Sequence, residues 1–216
     1  MTKTLFFIFL IFIIVLQIHD AKKTNNKFDI LQVDNPNKDE FENVIRSRSP
    51  TISTNVSKNF FDLQKMPPKN FYSLDKKSRT TLEKNLKEHF SYYTLPLSVK
   101  NKFEINVEEQ GSTNRITKST NGRLLICQLV GLKKLLLFSP DQGKYLYLKA
   151  SGNISKLNFF TDDLLQFPLI AKTKYIEILL YPGQMLYIPK GWFYTYVNED
   201  ESFSIKVSSD TPFSVF

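Results

Sequence analysis

Apolar residues are unevenly spread along the 216-residue chain, and their spacing changes character three times. Leu5 to Leu16 is an unbroken apolar run, preceded by Lys3 and followed by Gln17-Ile18-His19-Asp20-Ala21-Lys22-Lys23. A basic start and an apolar stretch of this length predict a secretory signal peptide or a signal anchor over residues 1–23. Cleavage after Ala21 would put His19 where a small residue is preferred, so both outcomes stay open. As an anchor the run is short: Leu5 to Ile18 rises about 21 Å against a hydrocarbon core of about 30 Å. Residues 24–40 are polar and charged and read as a tether. That leaves 41–216 as the folded domain.

Within it, 41–59 starts extended, with Pro50-Thr51-Ile52-Ser53 as the strand-like piece, and Met66-Pro67-Pro68 breaks structure. Leu74, Leu82, Leu86 and Phe90 recur at multiples of four among many charges, which predicts an amphipathic helix. His89 lies beside that stripe and reads as a histidine at the edge of the core. After Leu95-Pro96 the pattern becomes β. Leu124 to Val130 is continuously apolar, and Leu135 to Phe138 follows a turn at Gly131-Leu132-Lys133-Lys134. Ile176 to Leu180 and Met185 to Ile188 flank Tyr181-Pro182-Gly183-Gln184, the signature of a hairpin. Phe193 to Val197 and Phe203 to Val207 flank the charged turn Asn198-Glu199-Asp200-Glu201. Short strands at this spacing, mostly without helices between them, predict a sandwich or barrel.

Composition adds three constraints. Hydrophobic residues at 42% and aromatics at 14% are enough for a packed core, and seven Gly with ten Pro exclude a low-complexity chain. The formal charge of +8 permits attraction to phosphates or anionic membranes without requiring it. Cys127 is the only cysteine, which excludes an intramolecular disulfide and a cysteine-based metal site. It sits within an apolar run and reads as a small buried hydrophobe. Two glycosylation sequons, at Asn55 and Asn153, would be usable in the secretory pathway.

Four segments in order carry a family resemblance. They are Leu124 to Lys134 with Leu137-Phe138-Ser139-Pro140, Tyr145 to Lys149, Asp163 to Pro168, and Pro182 to Pro189 with Gly191-Trp192-Phe193. Together they resemble the JmjC or cupin-like hydroxylases that use Fe(II) and 2-oxoglutarate, and most of all the hydroxylase branch acting in tRNA wybutosine synthesis. The resemblance implies a mainly β fold, a double-stranded β-helix of the cupin jelly-roll type with a few N-terminal helices. It also implies iron held by a His-x-Asp pair ahead of the Leu124 strand and a second histidine just after the Trp-Phe pair. Two imidazoles and one carboxylate leave positions open for cosubstrate and oxygen.

This chain departs from that pattern. Tyr194 stands at the second-histidine position, and residues 114–123 contain no His, Asp or Glu. The chain has two histidines, His19 in the segment read as a targeting signal and His89 on the helix, so no register brings two to one iron. Neither iron nor 2-oxoglutarate is therefore expected as a cofactor; both enter only through the resemblance. Lys133, two residues after Gly131, stands where these enzymes place the lysine that pairs with the distal carboxylate of 2-oxoglutarate. It could retain a small anion by charge-assisted hydrogen bonds, or belong to an ordinary solvated turn. Trp192 to Tyr196 reads as core packing, with a ligand platform as the alternative.

The expectation is a pseudoenzyme without catalytic residues, in the secretory pathway or at a membrane, acting by binding a protein or a small anionic ligand. A tRNA-associated protein, or a hydroxylase related to wybutosine synthesis, is the alternative; it requires the cytosol or nucleus, with residues 1–23 not acting as a signal.

Overall fold

A computed structural model describes residues 2–56 and 75–214. Met66-Pro67-Pro68 and the end of the 41–59 stretch lie outside the described residues. From residue 100 onward eight strands are laid down: β3 (Lys100–Glu108), β4 (Thr117–Lys118), β5 (Arg123–Val130), β6 (Lys133–Phe138), β7 (Ile176–Leu180), β8 (Met185–Ile188), β9 (Phe193–Asn198) and β10 (Ser202–Asp210). They divide between two sheets. One runs β8-β5-β10-β3, extended at the β8 edge by β2 (Thr51–Thr54) and β1 (Leu31–Asp34); the other runs β4-β9-β6-β7. Apart from the β6–β7 step, each connection from β3 to β10 carries the chain into the opposite sheet. This is the double-stranded β-helix, and it explains two departures from the local reading.

The turn at Pro182-Gly183 forms, but it does not join a hairpin. β7 pairs with β6, whereas β8 pairs with β5 and β2. Short turns in a jelly roll move the chain between layers, and local sequence does not distinguish the two uses. Lys133 and Lys134 likewise belong to β6 and not to a turn. The change of sheet is made by Gly131-Leu132 alone. Gly131 has φ +77°, and a Cβ there would come 2.2 Å from the Glu201 carbonyl oxygen, so only glycine fits.

Strand alternation sorts the side chains into three layers. Leu125, Cys127 and Leu129 of β5, with Phe203, Ile205 and Val207 of β10, point outward under two helices. Those are α2 (Lys38–Ile45), which contributes Phe41 and Ile45, and α3 (Lys76–Ser91), which contributes Leu86 and Phe90. Asp75 caps α3 by accepting from the amides of Lys77 and Ser78. Leu124, Ile126, Leu135, Leu137, Leu186 and Ile188 face inward and fill one end of the barrel. Leu136, Phe138 and Phe193 face out from the smaller sheet, beneath the 140–172 segment. The unbroken apolar run of β5 therefore reflects burial on both faces.

Residues 24–40 are more ordered than a tether. Asn25 donates to the Ser47 carbonyl and accepts at its own carbonyl from Trp192 Nε1, 2.8 Å away, and Phe28 meets the Trp192 ring edge-on. β1 pairs in parallel with β2, and Asn37 with Glu40 closes a capping box at the start of α2. Polarity concealed this because the contacts of Asn25 are to partners distant in sequence, Ser47 and Trp192. Before it, α1 (Thr2–Lys22) exposes its apolar side chains from Leu5 to Leu16. Among the described residues no helix is long and apolar enough to cross a membrane.

Candidate functional site

The polar end of the barrel interior is built from β3, β6, β9 and β10. On β3, Phe103, Ile105 and Val107 pack outward, so the alternate residues Glu104 and Glu108 turn inward. On β6 and β9 the same rule sends Lys133, Tyr194, Tyr196 and Asn198 inward, with Lys133 and Asn198 as direct cross-strand neighbours.

Lys133 is 1% exposed, and its Nζ lies 2.8 Å from Glu108 Oε2. The ammonium also sits 3.8 Å from the centroid of the Tyr196 ring, a cation–π contact. Tyr196 Oη donates to Glu108 Oε1 at 2.6 Å, and Asn198 Nδ2 donates to Oε2 at 3.2 Å. Burial by itself pushes the Glu108 carboxyl up. The Lys133 charge and the hydrogen bonds from Lys133, Tyr196 and Asn198 outweigh it and bring the group below its ordinary value. Burial holds the Lys133 amine below its ordinary value, with Glu108 opposing. Burial, reinforced by Glu108, raises the Tyr196 phenol, so it remains a proton donor to the carboxylate. Lys133 is thus neither a solvated turn residue nor an open anion receptor. The protein's own carboxylate already meets it.

The second-histidine position and the blank window do come together. Thr117 and Lys118 pair with Tyr194 and Phe193, respectively. Tyr194 is buried, with the Lys206 ammonium 5.9 Å from its ring centroid, and Lys206 also reaches Glu104 at 3.6 Å. Burial alone would lower the Lys206 amine, but Tyr194 and Glu104 together raise it above its ordinary value. A lysine here supplies positive charge beside Tyr194, where two imidazoles and a carboxylate would be needed for iron. Among the described residues no cluster of His, Cys, Asp and Glu could hold a metal ion. His19 lies on α1, and His89 lies on α3 with Nε2 3.1 Å from the Val56 carbonyl oxygen. The donor set does not fit Fe(II), and the Lys133–Glu108 pair does not fit 2-oxoglutarate. Cys127 is buried, and burial pushes its thiol well up, which removes it as a nucleophile.

Residue-by-residue reading singled out Lys133 and Tyr194 and missed their partners Glu108, Tyr196, Asn198 and Lys206. The available signal was the alternation Phe103-Glu104-Ile105-Asn106-Val107-Glu108, which puts both glutamates on the face opposite an apolar one.

Comparison with known proteins agrees with the architecture. Residues 123–209 match the cupin-like domain family. Over 83 residues the chain is 35% identical to tRNA wybutosine-synthesizing protein 5 of Homo sapiens, covering 38% of this chain and 26% of that protein. It is 34% identical over 84 residues to Jumonji C domain-containing protein 5 of Drosophila melanogaster, covering 38% and 21%. Against HSPB1-associated protein 1 of Bos taurus the figures are 32% over 95 residues, 42% and 19%. The chain thus spans about a quarter or less of the length of each of these relatives.

Proposed function

Starting from a cupin-like domain over residues 123–209, related to the JmjC proteins, we propose that this chain is a non-catalytic binding protein, brought to the secretory pathway or a membrane by residues 1–23. The observation that carries the reading is the occupied barrel. Lys133 is neutralised by Glu108, and Tyr194 faces Lys206 where the family resemblance implies a metal-ligating histidine. Among the described residues no cluster could hold iron, which supports a role in binding.

The test uses the purified chain in mild detergent. Stoichiometric Fe(II) binding, or succinate formed from 2-oxoglutarate above a no-enzyme control, would refute the reading. A melting-temperature screen with 2-oxoglutarate, citrate and tRNA identifies ligands, because a molecule that binds only the folded state stabilises it. A second reading, a tRNA-associated protein, is favoured by the similarity to tRNA wybutosine-synthesizing protein 5 and the charge of +8. A tagged full-length copy that stays in the cytosol, together with a rise in melting temperature in tRNA, would favour it over the first.

A further inference from the structure

The two glycosylation sequons sit in unlike surroundings. Asn55 has φ +57°, and its Nδ2 donates to Asp34 Oδ1, a carboxylate oxygen that Thr54 Oγ1 also bonds. Ser57, the hydroxyl of that sequon, lies outside the described residues. Asn153 is exposed, and among the described residues its side-chain amide has no hydrogen-bond partner. Its backbone is nevertheless fixed. The Asn153 carbonyl accepts from the Lys118 amide at 2.7 Å, and the next residue, Ile154, bridges to Thr117 and accepts from the Lys149 amide at 2.8 Å. Gly152, with φ +68°, turns the chain just before it, and a Cβ built there meets nothing within 4 Å. A fixed turn that presents an unengaged amide to open space can carry a large polar substituent without losing a contact.

We propose that Asn153 is the attachment site of an N-linked glycan, added while the chain enters the secretory pathway; the inference rests on the secretory reading given above. In the transfer, Asn153 Nδ2 bonds to the anomeric carbon of an oligosaccharide carried on a lipid diphosphate. The bond from that carbon to the diphosphate oxygen breaks, the lipid diphosphate departs, and one amide proton is released. The hydroxyl of the sequon sets the order of events. An Asn-x-Ser sequon is recognised through that hydroxyl, yet Ser155 is 0% exposed in the fold. Its Oγ donates to the Leu146 carbonyl at 2.6 Å and accepts from the Leu157 amide at 2.9 Å. Its own amide donates to the Ile116 carbonyl at 2.8 Å. The hydroxyl is open to a transferase only before residues 146–157 close over it. The glycan is therefore added before this loop folds, and the exposed amide keeps it outside afterwards.

The experiment expresses the full chain in a eukaryotic secretory cell, fused at its C-terminus to a reporter domain with an established sequon. Peptide N-glycosidase in heavy-oxygen water releases the glycans and converts each formerly glycosylated asparagine to a mass-labelled aspartate, which peptide mass spectrometry locates. Labelled conversion at residue 153 is expected, and the intact Asn153→Gln chain should lack that glycan. A modified reporter with residue 153 unlabelled overturns the glycan and leaves the secretory reading standing. An unmodified reporter overturns both. The order of events has its own arm, in which microsomal transferase and the lipid-linked donor are offered the folded chain purified from bacteria, or a synthetic peptide of residues 149–158. The peptide should be modified and the folded chain should not; equal uptake by the two would overturn addition before folding.

Discussion

Replacing Glu108 with alanine strands a lysine. Lys133 is 1% exposed and draws its hydrogen-bonded countercharge from this one carboxylate. Removing one partner of a buried ion pair costs about 3–5 kcal/mol. Glu108 is itself 23% exposed, so water can reach part of the vacated space, and about 2–3 kcal/mol is the expected loss. In a chain of this size each kcal/mol lowers the melting temperature by about 2–4 °C, which gives a drop of about 4–12 °C. Lys133→Met should cost less, about 1–2 kcal/mol, because Glu108 keeps its hydrogen bonds from Tyr196 and Asn198 and some hydration. The double variant should be more stable than the sum of the single losses implies, by at least about 1 kcal/mol of coupling. Thermal unfolding followed by circular dichroism measures all four proteins. Acetate provides a further arm, since a carboxylate that enters the vacated position should raise the melting temperature of Glu108→Ala and leave the parent protein unchanged. The reasoning is refuted if Lys133→Met proves the more damaging single change, or if the two losses simply add.

Three further outcomes follow from the same geometry. Because Glu108 is held below its ordinary value of 4.5, the folded state binds fewer protons than the unfolded chain just below that pH. Its contribution is therefore complete above pH 4.5 and lost as pH falls through the folded value, and Glu108→Gln should show a shallower acid decline of melting temperature than the parent. Tyr194→His should restore no iron binding in equilibrium dialysis, because residues 114–123 still supply no carboxylate or imidazole; stoichiometric Fe(II) in that variant would contradict the account. Trp192→Ala should cost about 3–5 kcal/mol in thermal unfolding, since Trp192 is fully buried and its indole N–H holds the Asn25 carbonyl; a loss below about 1 kcal/mol would mean that residues 24–30 are not stapled to the barrel.

How far the sequence reveals this arrangement depends on how local each determinant is. The α3 helix was legible because its stripe and its periodicity lie within one segment. The β5 strand was legible because burial on both faces leaves an uninterrupted apolar run. Pairing was not legible: Pro182-Gly183 makes the same turn whether the flanking strands join one sheet or two, and only the closure of the barrel decides between them. The tether failed for a related reason. Asn25, Asn37 and Glu40 look solvated in isolation, yet they are satisfied by Ser47, by Trp192 and by each other's backbone. For the candidate site, the missing iron ligands could be read by counting histidines, whereas the replacement chemistry could not. Glu108 lies 25 residues before Lys133, and nothing local couples the two.

The replacement itself has a physical logic. A jelly roll that keeps a buried lysine must either admit an anion or provide one, because an isolated ammonium in the interior is too costly to retain. Here β3 provides it, at a position where strand alternation already turns Glu108 inward, and Tyr196 closes the cage from the neighbouring sheet by stacking on the cation and donating to the anion. A second Lys–Glu contact, Lys206 with Glu104, repeats the solution four residues back along β3, on the side where Tyr194 stands. Two inward glutamates on one strand thus offset two inward lysines on the strands facing or flanking it, and the barrel interior needs no ligand to be electrically balanced.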